Sequence, residues 1–146
     1  TCPVSCAVYT EKGTLAVNSR QAAVLAARAM ADQPAWMAFA ATYGLLHDYG
    51  KIWCHEEDEF CELPKHLLAD EVRYEMLLPA LAGLKQASPE AGKVMESLIS
   101  GSWRIDGLEI SHRIGLVVQG IIEKQTKAYM SGAPRGYPGW DPVIVK

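Results

Sequence analysis

The run from Pro34 to Leu46, PAWMAFAATYGLL, carries no charged residue, and it limits what the chain can become. It is too short to span a bilayer, which takes about 20 apolar residues, and too long for an ordinary strand. The remaining reading is a helix that starts at Pro34, whose fixed φ suits a first helical turn. Because the run is apolar nearly all round, it predicts a central, buried helix rather than a surface one. Gly50 is placed to end it. A helix of this kind needs others to cover it.

The rest of the sequence supplies them. Ser19 offers an N-cap to the alanine-rich RQAAVLAARAMAD, on which Gln21, Arg28 and Asp32 fall near one face. Pro64 opens PKHLLADEVRYEMLLPALAGLKQA, where Leu67, Leu68, Val72, Met76 and Leu77 recur at helical spacing and Pro79 predicts a kink or break. Ser88 and Pro89 cap EAGKVMESLIS, GSWRIDG reads as a loop from its glycines, and LEISHRIGLVVQGIIEKQTKAYM is a fifth helix. Residues 1–18 read as an irregular start or a small hairpin around Glu11, Lys12 and Gly13. Residues 131–146, rich in Pro and Gly, read as an extended tail that could serve as a lid, a subunit contact or packing. No repeat or interdomain linker is visible. The expectation is a single all-α domain over 1–146, a bundle of about five helices.

The 146 residues are enough for one core. Apolar residues make up 49% and charged residues 21%, and the formal charge is −3, so disorder does not fit and there is no basic footprint for duplex nucleic acid. A small phosphate ester stays compatible with that charge. The N-terminus has no basic segment followed by an apolar signal region, so a cytoplasmic protein without membrane association is expected, and Thr1 fits a chain from which an initiator Met was removed. Cys2, Cys6, Cys54 and Cys61 show no C-x-x-C spacing. Reduced thiols are therefore expected rather than disulfides or structural zinc.

Where the apolar run ends stands LLHDYGKIWCH, with His47 beside Asp48 and Lys51 just beyond. Neighbouring helical residues point about 100° apart, so two consecutive side chains converge on one ion only at a helix end or a distortion. An imidazole and a carboxylate together suit Mn, Co, Zn or Fe and leave positions for water and a substrate oxygen. The plainer alternative is a pair of polar residues where a helix meets water. HEEDEFCE lacks the order of an EF-hand loop and reads as a solvated acidic loop.

LLHDYGK resembles the signature of the HD-domain superfamily, whose members are all-α and mostly metal-dependent phosphohydrolases, and the order of helices around it is similar over most of the chain. The resemblance implies a divalent metal ion (Mn, Co, Zn, Fe or Mg) and a nucleotide or other small phosphorylated substrate. In that family a first histidine precedes the pair in a pattern like H-S-x-x-V-A-x-x-A. QAAVLAARA places Gln21 there, and Gln is a poor transition-metal ligand. ISHRIG is similar to the family's A-D-R-L stretch and places His112 where the final aspartate belongs. Carried over residue by residue, the resemblance implies His47, Asp48 and His112 as metal ligands, with Asp48 in the catalytic machinery. Lys51, just beyond the pair, is a cation placed to neutralise a phosphate and so joins the catalytic and substrate-side residues, with Arg20 and Gln21 as further substrate-side candidates; the plainer reading of Arg20, Gln21 and Arg28 is a solvated helix face. His66, near the start of its helix, is a general acid, a fourth ligand or a plain surface residue. His112 should then lie across from the pair, on a helix whose axis is within about 8–10 Å; alternatively it is a hydrogen-bonded core histidine. Two functions follow: a phosphohydrolase, or a catalytically degenerate module that binds a ligand or a protein partner; a homo-oligomer is compatible with either.

Overall fold

The computed structural model describes residues 14–48 and 65–130, and every regular element among them is helical. Among the described residues there are five α-helices, α1 (Thr14–Ala29), α2 (Pro34–Leu46), α3 (Lys65–Ala87), α4 (Pro89–Ser100) and α5 (Glu109–Met130), with a 3-10 turn at Ser102–Arg104. This is the all-α bundle the sequence implies. It is built from two hairpins, α1 with α2 and α3 with α4, and α5 lies against α1 and α4 to join them. No described helix is long and apolar enough to cross a membrane.

Small residues close the first hairpin. Ala22, Ala26 and Ala40 are fully buried, and a Cβ on Gly44 would come within 2.7 Å of the Ala22 carbonyl oxygen. The two backbones are therefore in contact, and that contact fixes the register of α1 against α2. One turn beyond Ala22 toward the start of α1 lies Asn18, and one turn beyond Gly44 lie His47 and Asp48. The antiparallel hairpin puts all three at the end opposite its connecting loop.

One boundary and one burial differ from the sequence reading. Helix α1 begins at Thr14, so Ser19 is inside it, 8% exposed, and is not a cap. The irregular start is therefore shorter than 1–18; residues 1–13 and the tail 131–146 lie outside the described residues. Helix α2 is not central either, because Ala35, Ala38, Thr42 and Leu45 are exposed while Ala40, Tyr43 and Gly44 are buried. Three of these four side chains are small, so the exposed side of this apolar run is built largely of residues that water tolerates.

Helix α3 passes through Pro79 without a break. The carbonyl that loses its donor belongs to Glu75, and both residues are exposed, so water can take the place of the missing N–H. Helix α4 starts where expected: the Ser88 hydroxyl accepts from the Ala91 N–H at 3.3 Å, and Gly101 at φ 85 ends the helix with its N–H bonded to the Leu98 carbonyl. In the following loop the Asp106 carboxylate accepts from the Ser97 hydroxyl, from the Ser102 hydroxyl at 3.2 Å and from the Leu108 N–H at 3.0 Å. The core, including the fully buried Leu98, Ile114 and Met30, fills the space between the hairpins and α5.

Candidate functional site

His47 is the C-cap of α2, with helical dihedrals of φ −55 and ψ −33, so the pair sits at a helix end, where consecutive side chains can converge. His47 is 4% exposed and Asp48 7%. The His47 Nδ1 lies 2.6 Å from the Gly44 carbonyl oxygen. A carbonyl only accepts, so Nδ1 carries the proton in this contact and Nε2 is left to face Asp48. Asp48 Oδ2 is 3.0 Å from Nε2, yet the buried Nε2 has no hydrogen-bond partner, because the carboxylate stands off the ring's N–H axis. A lone pair and a carboxylate oxygen that close, out of water, call for a positive charge between or beside them, a proton or a cation. Two ligands about 2.1 Å from one metal ion and at right angles to it would stand roughly 3.0 Å apart. The observed spacing of 3.0 Å equals that value.

Arg73 supports this end from α3. It is 6% exposed and donates through Nη1 to the His47 carbonyl at 2.5 Å and through Nη2 to the Ile99 carbonyl at 2.7 Å. These are carbonyls at the C-terminal ends of α2 and α4, which have no partner within their own helices. One guanidinium thus ties the second hairpin to the backbone of the dyad.

A second group of buried polar residues occupies the start of α1. Gln125 Nε2 donates to the Asn18 carbonyl and to Gln21 Oε1, both at 2.9 Å. Asn18, Gln21 and Gln125 are 0%, 2% and 4% exposed, and both polar atoms of the Asn18 side chain, Gln21 Nε2 and Gln125 Oε1 have no hydrogen-bond partner. The α1/α2 register puts this group at the same end of the bundle as the dyad. Gln21 is thus neither a solvated face nor exposed to a substrate; its side chain is committed to α5.

His112 is not part of that end. It is exposed, with Nδ1 3.3 Å from the Trp103 carbonyl and its ring 5.8 Å from the indole. Next to it, Arg113 donates to the Asp32 carboxylate at 2.5 and 2.8 Å and to the Ala29 carbonyl at 3.3 Å, which places this part of α5 against the loop of the first hairpin. Gln125, the residue that reaches α1 at the dyad's end of the bundle, comes thirteen residues later in the sequence, about 20 Å along the axis. Among the described residues no three His, Cys, Asp or Glu side chains converge. The expected ligand set of His47, Asp48 and His112 is therefore not assembled, and the cause is the register of α5.

Of the other expected site residues, Arg20 is exposed on α1, next to Gln21 in sequence. His66 belongs to α3, but its side chain lies outside the described residues, as does the whole of Lys51. The sequence reading missed Asn18, Arg73 and Gln125. Arg73 had a signal, a cation inside the apolar spacing of α3; the amides had none that one chain shows. No family model, no curated protein and no solved structure matches this chain.

Proposed function

We propose that this chain is a divergent HD-type helical domain in which His47 and Asp48 hold a divalent cation, and that it hydrolyses a nucleotide or another small phosphate ester in the cytoplasm. The observation that carries the reading is the buried Nε2 of His47, which makes no hydrogen bond and lies 3.0 Å from the Asp48 carboxylate. When bound, Mn, Co, Zn, Fe or Mg would lower the pKa of water and polarise a phosphoryl oxygen. The protein's own contribution is preparation. The Gly44 carbonyl holds the imidazole in the tautomer that leaves Nε2 basic, Arg73 holds the backbone beneath it, and Asp48 supplies the negative charge. Lys51, three residues on, would neutralise phosphoryl oxygens, with Arg20 as a further cation for the phosphate and His66 as an acid for the leaving group.

A second reading, a degenerate module that binds without catalysis, is favoured by the commitment of Gln21 to Gln125 and of His112 to Trp103. One experiment separates the two. Wild type and Asp48→Ala are assayed against a panel of nucleoside phosphates with Mn, Co, Zn and Mg, and melted with and without each metal. The enzyme reading expects metal-dependent turnover and a metal-dependent rise in Tm, both lost in Asp48→Ala. No turnover and no shift in the wild type would leave the binding module.

A further inference from the structure

A cleft that includes neither His47 nor Asp48 in its lining lies where α2, the 3-10 turn and α5 meet. Its volume is about 310 Å³, at the lower end of the range for small-molecule pockets and suited to a molecule of one or two rings. The walls are Tyr43, Trp103, Val118 and Ile122, and the polar side chains are Arg104, Gln119 and Glu123. Tyr43 and Trp103 are rigid walls, 7% and 3% exposed. The indole lies directly on Gly115, where a Cβ would come within 2.3 Å of the ring, so the shape of the cleft depends on that glycine.

The charges are arranged for recognition. The Arg104 guanidinium carbon stands 4.4 Å from the Trp103 ring centroid, a cation–π contact that holds an exposed cation in place. Glu123, one helical turn from Gln119, accepts from its amide at 3.4 Å, a long contact that a better donor would displace. The cleft thus has flat apolar walls with a fixed cation, a carboxylate and an amide at its edges.

We propose that this cleft binds a planar aromatic acid that carries an N–H donor remote from its anionic group. The ring would lie against Tyr43, Val118 and Ile122, the anion on Arg104 and the N–H on Glu123. Nothing in this assignment depends on the dyad or on phosphohydrolysis.

The test is a titration with 4-aminobenzoate, followed by 15N NMR at the Trp103 indole N–H, which is assigned by comparison with Trp103→Phe. Benzoate and aniline serve as probes that lack the donor and the anion. Saturable shifts of the Trp103 signal are expected, with binding weakened about tenfold or more for aniline, and for 4-aminobenzoate in Arg104→Gln, since each removes one charge-assisted contact. Glu123→Gln should weaken 4-aminobenzoate and leave benzoate unchanged. Gly115→Ala should abolish binding, with melting measured alongside to show that it is folded. Both surface variants keep the core intact. The proposal is overturned if the Trp103 signal does not move, if aniline binds as well as 4-aminobenzoate, or if Arg104→Gln binds like the wild type.

Discussion

At the scale of single residues, close approach and hydrogen bonding set the outcome. Gly44 touches the backbone of α1, and backbone cannot yield as a flexible side chain can. Gly44→Ala should therefore cost roughly 1–3 kcal/mol by forcing the first hairpin apart, read as a lower denaturation midpoint at an unchanged m-value. Gly83→Ala, at a helical position where a Cβ meets nothing within 4 Å, should be neutral or slightly stabilising. Asp106 gives a pH test. The Ser97 hydroxyl, then the Leu108 N–H and the Ser102 hydroxyl, hold its carboxyl below the usual value of 3.8. A folded pKa below the unfolded one contributes stability that is present above the unfolded value and is lost as pH falls through the folded one. Asp106→Asn should therefore melt lower than wild type at pH 7, and the gap should narrow below about pH 4. A gap that stays constant from pH 7 to pH 3 would show that the ionised carboxylate contributes nothing. The dyad itself is legible at this scale: two hard-to-bury groups ahead of Gly50 mark a helix end. The amides of Asn18 and Gln125 are not, because Asn and Gln are ordinary on helix faces and only packing buries them.

At the scale of elements, local chemistry was decisive where it was local. Ser88 followed by Pro89 is a cap in the sequence and in the structure, and Ser88→Ala should cost about 1 kcal/mol. Ser19→Ala should show no loss of that kind as a cap, since Ser19 lies inside α1; comparing the two by urea denaturation tests where α1 starts. The misreadings arose where tertiary context overrides local preference. Ser19 is a good cap by type, but the helix extends through Thr14–Asn18 because Asn18 is buried against Gln125. Pro79 would break a helix enclosed on all sides, and α3 tolerates it where its surface meets water. The apolar run of α2 reads as central because a sequence shows how apolar side chains are more directly than which of them face water.

At the scale of the whole molecule, the decisive quantity is the register of α5, which no single-chain pattern reveals. Spacing showed that α5 is a long helix with an apolar face. Which end meets the dyad depends on two contacts far apart in sequence, Arg113 with Asp32 and Gln125 with Asn18. Those contacts send His112 to the loop end of the first hairpin and bring amides to the end of the bundle that holds the dyad. The central claim, that His47 and Asp48 form a cation site without His112, is tested most directly by calorimetric titration of Mn2+ and Co2+ into wild type, Asp48→Asn and His112→Ala. The expected result is saturable binding by wild type, unchanged in His112→Ala and weakened at least about tenfold in Asp48→Asn, where a charged ligand is lost. No binding by the wild type, or loss of binding in His112→Ala, would contradict it.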